Sequence, residues 1–165
     1  MDNISALFFD IDGTLVSFKT HQIPRSTVEA IAKAKENGVG IYISTGRPLQ
    51  IITNLKDIEP YIDGYITTNG ALCFVGSNVV CCNPIPKKNV DFLLSDADRY
   101  DYAVLVVGES GVGLYNKKPV FDEVFVRGLN VTNIDTTLSV VDMLEKEEVL
   151  QFTPCLLYTS DAADE

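Results

Sequence analysis

Short apolar runs alternate with amphipathic stretches along the first half of the chain. Residues 6–9 form one continuous apolar run, and residues 39–44 form another. Continuous rather than alternating runs of this length indicate strands that are buried on both faces of a parallel sheet. The segment between them has small and branched apolar residues at helical spacing. Residues 5–44 therefore predict a strand–helix–strand unit with a right-handed crossover.

The predicted helix has a start signal and a stop signal. Ser26, followed three residues later by a glutamate, has the pattern of a capping box. Gly38 suits the position just after the helix, where glycine is favoured. After the second strand, Pro48 predicts a further helix over residues 48–58, because proline is favoured in the first helical turn. Residues 61–68 predict a third strand.

The pattern changes near the middle of the chain. Residues 71–75 and 79–82 predict a hairpin, and two prolines that flank Ile85 predict a stiff, extended connector after residue 83. Beyond this boundary the pattern indicates a mixed α+β arrangement. The predicted helices of this part are 87–99 and 138–147, and the predicted strands are 103–107, 112–115 and 149–153. Residues 119–128 are ambiguous.

Composition narrows the class of protein. Hydrophobic residues make up 46% of the 165-residue chain, enough for a packed core, and the net charge of −10 argues against a nucleic-acid partner. The four cysteines lack CxxC spacing, which favours thiols in a reducing compartment. There is no signal-peptide pattern and no apolar run of transmembrane length. We therefore expect a cytoplasmic protein without a membrane partner.

Two aspartates directly after the first strand carry most of the predicted chemistry. Asp10 and Asp12 stand two residues apart, followed by Gly13 and Thr14. Such a pair can hold a divalent cation and attack a phosphate, with Asp10 as nucleophile and Asp12 as general acid and then base. Gly13 and Thr14 would turn the chain so that backbone N–H groups face the anion. The alternative is a strand that ends in a polar turn with a capping aspartate.

A second candidate stretch follows the second strand. Thr45 ends the apolar run and is followed by Gly46 and Arg47. A hydroxyl at a strand end beside a helix N-terminus is well placed to bind a phosphate oxygen. The alternative is an N-cap threonine with a turn glycine. After the third strand, Asn69 precedes a glycine, a pair typical of a turn that opens a hairpin.

These residues resemble the motifs of the haloacid dehalogenase superfamily. Phe9-Asp10-Ile11-Asp12-Gly13-Thr14-Leu15 is similar to the first motif in its phosphatase form, which has the second aspartate that the ATPases of the superfamily lack. Thr45-Gly46-Arg47-Pro48 resembles the second motif of the Cof-type branch. Asn69-Gly70-Ala71 resembles a pattern near the substrate pocket of that branch.

The resemblance implies an α/β fold, with a partial Rossmann-like parallel core followed by an incomplete α+β cap. It implies Mg²⁺-dependent hydrolysis of small phosphorylated metabolites, such as sugar phosphates, through an aspartyl-phosphate. Asp10 and Asp12 would be metal ligands, the latter through its backbone carbonyl. The residues around the substrate phosphate would be Gly13, Thr14, Thr45, Gly46, Arg47 and Asn69.

Two parts that the resemblance requires do not occur in the sequence. The family supplies a lysine that pairs with the nucleophile, and a Gly-Asp-Gly-x-Asn-Asp stretch that completes the metal site. No such stretch is present, so we expect this chain to be inactive by itself. Two alternatives remain open. One is a related sugar-phosphate phosphatase or phosphomutase, and the other is a non-catalytic module that binds phosphate esters.

The last eleven residues have a separate origin in our interpretation. Residues 155–165 resemble the translation of a transposon-end sequencing adapter, although a genuine acidic tail is the alternative. We expect the natural frame to continue for about 100 residues beyond Pro154. The predicted organisation is therefore a core at 1–83, a partial cap at 84–154 and a non-native tail at 155–165. Marginal stability is expected, because the first strand would lack neighbours on one side.

Overall fold

The computed structural model describes residues 4–118 and 139–155. The chain divides into two compact units, Met1–Asn83 and Pro84–Glu165, called here the first and second units. Within the described ranges, no helix is both long and apolar enough to cross a membrane. The described part of the first unit contains one α-helix and five strands: β1 (Ala6–Phe9), α1 (Arg25–Glu36), β2 (Gly40–Ser44), β3 (Gly64–Thr67), β4 (Leu72–Val75) and β5 (Asn78–Cys82).

The five strands of the first unit form one sheet in the order β1-β2-β3-β4-β5. The pairs β1–β2 and β2–β3 are parallel, while β3–β4 and β4–β5 are antiparallel. The predicted strand–helix–strand unit, the hairpin and the α/β fold class are therefore confirmed. Because β1, β2 and β3 run in the same direction, the loops that follow them leave the same edge of the sheet.

One face of this sheet packs on α1 and forms the core of the first unit. Ile41 and Ile43, alternate residues of β2, are fully buried there, and Ile31 of α1 packs with them. Each fully buried isoleucine contributes about 1.5–3 kcal/mol to stability. On the other face, Phe8 stacks on Tyr42 with ring centroids 4.9 Å apart, and Phe8 remains 59% exposed.

The start of α1 differs from the predicted capping box. The helix begins at Arg25, after an N-cap at Pro24 that makes no side-chain cap hydrogen bond. Ser26 therefore lies inside the first turn, and the capping-box prediction is wrong. Glu29 instead accepts a hydrogen bond from Arg25 Nε at 2.8 Å. The predicted stop is confirmed, since Gly38 follows the helix with φ of +80°.

The helix predicted at residues 48–58 is absent from the fold. The segment contains only a 3₁₀ turn at Leu49–Ile51, after which Ile52 is extended with φ −85° and ψ 105°. Consecutive β-branched residues lose side-chain freedom in a helix, which disfavours one here. Leu55 and Ile58 are instead buried in the core. Packing rather than helical hydrogen bonds fixes this segment, and the third strand is shorter than predicted.

The described part of the second unit contains two helices and three strands. Its sheet has the order β7-β6-β8, with both pairs antiparallel and the central strand buried along its whole length. The core includes Val104 and Val106 from that strand and Met143 from the second helix. The elements are α2 (Lys87–Tyr100), β6 (Ala103–Gly108), β7 (Val112–Tyr115), α3 (Val140–Lys146) and β8 (Val149–Cys155).

Two predictions fall partly or wholly outside the described residues. The ambiguous segment 119–128 lies outside them. The tail predicted at 155–165 also lies outside them, except for Cys155, which ends β8 and pairs with Ala103. The strand thus runs one residue further than the predicted end of the cap.

Candidate active site

The loops that follow β2 and β3 are joined by backbone hydrogen bonds. The Thr45 N–H donates to the Ile66 carbonyl at 2.9 Å, which continues the pairing of the two strands. Beyond the strand ends, the Thr68 N–H donates to the Arg47 carbonyl at 3.2 Å, and the Asn69 N–H to the Thr45 carbonyl at 3.4 Å. The segments that contain Thr45 and Asn69 are therefore held side by side.

The loop that follows β1 is anchored by buried apolar side chains. Ile11 and Leu15 are almost completely buried, and the Ile11 carbonyl accepts hydrogen bonds from Leu15 and Val16. Gly13 lies between them with φ of +78°, and a Cβ atom there would stand 2.7 Å from Phe18 Cε2. This turn requires glycine both for its backbone conformation and for space.

Asp10 leaves the end of β1 with an exposed side chain. Its backbone carbonyl accepts a hydrogen bond from the Leu15 N–H at 3.3 Å, so the main chain of the residue belongs to the turn. The carboxylate is thereby presented to solvent at the edge of the sheet where the three loops emerge. This is an accessible position for a nucleophile.

Asp12 is held by Arg47 in a two-point ion pair. Arg47 Nε donates to Asp12 Oδ2 and Arg47 Nη2 to Asp12 Oδ1, each at 2.7 Å. The arginine side chain is only 12% exposed and the aspartate 34%. Paired hydrogen bonds between a guanidinium and a carboxylate are strong and fix both groups in orientation. Arg47 was predicted to lie near the phosphate, and here its guanidinium binds the candidate general acid.

The same arginine connects all three loops. Its backbone N–H donates to Thr45 Oγ1 at 3.1 Å, and its carbonyl accepts from the Thr68 N–H. Its Nη1 also donates to the Ile51 carbonyl at 3.5 Å. Arg47 therefore links the Asp12 loop, the Thr45 loop and the Thr68 loop through both its side chain and its backbone.

The Asn69 side chain lies directly against Gly46. A Cβ atom at Gly46 would stand 2.9 Å from Asn69 Oδ1, so the close approach depends on glycine. Thr45 beside it is 6% exposed, and its oxygen already accepts one hydrogen bond. The structure thus brings five of the predicted residues into one connected group: Asp12, Thr45, Gly46, Arg47 and Asn69.

The turn at Asn69 is strained, and it contains a residue that sequence reasoning missed. Thr68, Asn69 and Gly70 have φ of 49°, 55° and 91°. A β-branched residue such as Thr68 rarely adopts positive φ, at a cost of about 1–3 kcal/mol. Its hydroxyl oxygen is buried without a hydrogen-bond partner among the described residues. Only its position before an Asn-Gly pair could have signalled it. The predicted turn is confirmed as the β3–β4 connection.

The backbone N–H groups of Gly13 and Thr14 do not have the predicted orientation. Gly13 N–H donates to the Val16 carbonyl at 2.9 Å, and Thr14 N–H makes a longer bond of 3.4 Å to the Ile11 carbonyl. The loop closes on itself because its own carbonyls satisfy these donors. An anion at Asp10 would have to compete with these internal bonds.

The oxygen atoms at the end of β1 fit part of a magnesium site. The Asp10 carboxylate and the Asp12 backbone carbonyl are hard donors of the kind that Mg²⁺ prefers, and Mg²⁺ commonly keeps several water ligands. Within residues 4–118 and 139–155, no group of three or more His, Cys, Asp or Glu side chains could hold a metal ion. Further ligands would therefore be water, substrate or other residues.

Comparison with known proteins gives a consistent result. Residues 7–164 match the model of a family described as haloacid dehalogenase-like hydrolase. Over 103 residues the chain is 30% identical to YkrA of Bacillus subtilis (strain 168), a protein named as a candidate phosphatase. That alignment covers 62% of this chain and 39% of YkrA.

Solved structures resemble the chain over most of its length. One, from a study of a trigonal-bipyramidal intermediate in a phosphoryl-transfer superfamily, has a TM-score of 0.83 and 40% identity, covering 93% of this chain and 59% of the other. The HAD subclass IIB sugar phosphatase BT4131 has a TM-score of 0.80 and 42% identity, and the match covers 91% of this chain and 58% of BT4131. BT1666 from Bacteroides thetaiotaomicron has a TM-score of 0.71 and 28% identity, and the match covers 88% of this chain and 53% of BT1666. The chain therefore spans less than two thirds of the length of each of these relatives.

Proposed function

Because the chain belongs to the haloacid dehalogenase-like hydrolase family, we propose that the whole protein hydrolyses small phosphomonoesters through an aspartyl-phosphate on Asp10. The observation that supports this most directly is the exposed Asp10 carboxylate at the end of β1, followed two residues later by Asp12 in the ion pair with Arg47. The sheet edge supplies a nucleophile and a second carboxyl group within one short loop, and Thr45 is connected to that loop through Arg47.

In the proposed reaction, a carboxylate oxygen of Asp10 attacks phosphorus and the ester oxygen leaves. Asp12 gives a proton to that oxygen, and then takes a proton from the water that hydrolyses the aspartyl-phosphate. Both oxygens of Asp12 accept hydrogen bonds from Arg47. Each oxygen keeps a second lone pair that Arg47 does not use, and Asp12 can hold the transferred proton there.

Thr45 would orient the transferred group. Its oxygen accepts the Arg47 N–H, so its hydroxyl proton points elsewhere and can donate to a phosphoryl oxygen. Asn69, against Gly46, would supply amide hydrogen bonds on the same side. Mg²⁺, when bound by Asp10 and the Asp12 carbonyl, would neutralise charge on the phosphate. Positioning and electrostatics would supply most of the rate.

The proposed substrate class is sugar phosphates and similar esters. The 42% identity and the TM-score of 0.80 to a sugar phosphatase support this class. The net charge of −10 means that attraction of an anionic substrate must come from local groups such as Arg47 and a bound cation.

Substitution of the nucleophile tests the proposal. In the whole protein, assayed with Mg²⁺ and a panel of sugar phosphates, Asp10→Asn should lower turnover by at least about 10³-fold. Asp57→Asn, at an exposed residue ten positions beyond Arg47 in the chain, is the matched control and should leave turnover unchanged. Retained turnover in Asp10→Asn would show that Asp10 is not the nucleophile.

A non-catalytic module that binds phosphate esters is the second candidate. The observation in its favour is that Arg47 occupies both oxygens of Asp12, which suits a resting or binding state better than proton transfer. For the 165-residue chain itself, we expect binding of a phosphomonoester without turnover. Phosphorus NMR line broadening with inorganic phosphate and glucose 6-phosphate would measure that binding, and release of inorganic phosphate would contradict this expectation.

A further inference from the structure

Two cysteines face each other across the β4–β5 hairpin. Cys73 and Cys81 are directly opposed residues of this antiparallel pair, and the Cys73 thiol makes a side-chain hydrogen bond with Cys81. Opposed residues in antiparallel strands have Cα atoms about 4.5–5.5 Å apart, inside the range of about 4.4–6.8 Å that disulfides span. Both residues are half-buried thiols, so a small oxidant can reach them.

We propose that Cys73 and Cys81 form a reversible disulfide on oxidation by a peroxide. The proposal is independent of the proposed phosphatase function, because it needs only the hairpin of the first unit. Neither cysteine belongs to the three loops of the candidate active site, so oxidation would modify a separate position of the chain.

The surroundings of the two sulfur atoms assign them different roles. The Asn83 side-chain amide donates to Cys81 Sγ at 3.0 Å, and such a donor stabilises negative charge on sulfur. Burial, followed by the proximity of Cys81, raises the pKa of the Cys73 thiol. Because the thiolate is the nucleophile, Cys81 should react first and Cys73 should resolve the product.

The reaction balances with one peroxide per disulfide. The Cys81 thiolate attacks a peroxide oxygen and breaks the O–O bond, which gives a sulfenic acid and, after protonation, one water or alcohol. Cys73 sulfur then attacks Cys81 sulfur, loses its proton, and displaces the hydroxyl as water. The two thiols are oxidised by two electrons, and the peroxide is reduced by two.

The pair also lies close to the strained turn. The Cys73 thiol is within 3.7 Å of the Gly70 carbonyl, to which it donates a hydrogen bond. A disulfide would remove that thiol proton and tie β4 to β5 covalently. Since β4 pairs with β3 up to Thr67 and Leu72, the covalent link would lie one residue after Leu72 and three residues after Gly70.

Thiol counting and mass measurement on the 165-residue chain test the proposal. After treatment of the folded protein with hydrogen peroxide at micromolar concentration, the reactive thiols in denaturant should fall from the four of the sequence by two. The mass should fall by about 2 Da, and dithiothreitol should restore both values. The oxidised protein should melt on the order of 5 °C higher, because the link restricts the unfolded chain.

Three variants decide which thiols are involved. Cys73→Ser and Cys81→Ser should both abolish the mass change of about 2 Da. Cys82→Ser is the matched control, because Cys82 pairs with Leu72 and points to the opposite face of β5. It should keep the mass change. Circular dichroism and the melting temperature of the reduced variants would show that each remains folded.

Several outcomes would overturn the proposal. One is loss of thiols that persists in Cys73→Ser, which would indicate a bond between the adjacent cysteines. Another is a disulfide that appears only as a dimer on a non-reducing gel. A third is oxidation of the cysteines to sulfinic acid in the folded protein without a disulfide having formed. Tandem mass spectrometry of the tryptic fragment 57–87, which contains Cys73, Cys81 and Cys82, would show which two of these cysteines are bonded.

Discussion

At the scale of single residues, Arg47 is the residue on which the candidate site depends most. It binds both oxygens of Asp12 at 2.7 Å, and its backbone groups contact Thr45 and Thr68. Among the described residues of the candidate site, Arg47 is the one whose hydrogen bonds join all three loops. The orientation of the Asp12 side chain therefore depends on Arg47 as much as on the loop that contains Asp12.

Removing the guanidinium should destabilise the first unit. Arg47→Met should lower the free energy of unfolding by about 1–3 kcal/mol, because a partly buried carboxylate loses two charge-assisted hydrogen bonds. Arg25→Met is the matched control, since its ion pair with Glu29 is exposed and such pairs contribute about 0–1 kcal/mol. Urea unfolding followed by tyrosine fluorescence would measure both. Equal effects would mean that the Asp12 pair is no stronger than a surface pair.

At the scale of elements, close packing between β3 and β4 depends on one glycine. A Cβ atom at Gly64 would stand 2.4 Å from the Phe74 carbonyl oxygen and 3.1 Å from Val75 Cα. Both are backbone atoms of the neighbouring strand, so the strand itself would have to move. The pairing of β3 with β4 also fixes the position of the turn that contains Asn69. A shift of β4 at Gly64 would therefore also change the candidate active site.

Substituting Gly64 should therefore cost much more than substituting Gly40. Gly64→Ala should destabilise the first unit by about 2–3 kcal/mol through overpacking. Gly40→Ala is the control. Its Cβ would stand 2.9 Å from Tyr42 Cε2, the far end of a side chain that can rotate away, and it should cost less than about 1 kcal/mol. Thermal unfolding would measure the difference. Similar values for the two variants would show that β4 adjusts easily.

A second element-scale prediction concerns α1 and the segment before β3. Asp63 accepts hydrogen bonds from Lys35 Nζ and from the Ile41 N–H. The Lys35 hydrogen bond first, and the Ile41 N–H second, lower the pKa of Asp63 below its ordinary value. A carboxyl with a lowered pKa in the folded state stabilises the protein above its ordinary pKa of about 3.9. That contribution is lost as the pH falls through the lowered value.

The expected result is a loss of stability below about pH 4 that depends on Asp63. The free energy of unfolding in urea, measured from pH 7 to pH 3, should fall less steeply in Asp63→Asn than in the original chain. Asp57→Asn, at an exposed position, should keep the original slope. Parallel slopes in all three proteins would show that Asp63 does not contribute to the dependence of stability on pH.

At the scale of the whole molecule, the first unit has an apolar surface on the sheet face opposite α1. Phe8 is 59% exposed there and stacks on Tyr42. Mainly parallel sheets in α/β proteins are usually covered on both faces. Exposed apolar surface of this kind favours association, although the net charge of −10 opposes it.

We therefore expect the 165-residue chain to self-associate and to bind hydrophobic dyes. Phe8→Thr should reduce both effects while changing the free energy of unfolding by less than about 1 kcal/mol, because Phe8 is already mostly in water. Val141→Thr, at a residue of α3 that is 61% exposed, is the control and should change neither. Sedimentation velocity at two concentrations would measure association. A strictly monomeric original chain would contradict the prediction.

The order of elements could be predicted from the sequence because it depends on local patterns. The apolar runs at 6–9 and 39–44 predicted two strands of the sheet, and the hairpin and second-unit elements agree closely with their predicted ranges. The prediction that the first strand is buried is wrong, because β1 lies at the end of the described sheet and Phe8 is 59% exposed. The segment 48–58 could not be predicted in this way. Its conformation is decided by burial of Leu55 and Ile58 in the core rather than by its own propensity for helix.

The sequence by itself determined which residue types stand at each strand end, because strand length and turn chemistry are local. It therefore placed Asp10, Asp12, Thr45 and Asn69 after three consecutive strands. Only the tertiary structure decided that Arg47 binds Asp12, that Thr68 is buried and strained, and that Cys73 faces Cys81. These contacts depend on loop conformation and strand register, and they join residues up to 35 positions apart. Such contacts leave no pattern in the spacing of residues along the chain.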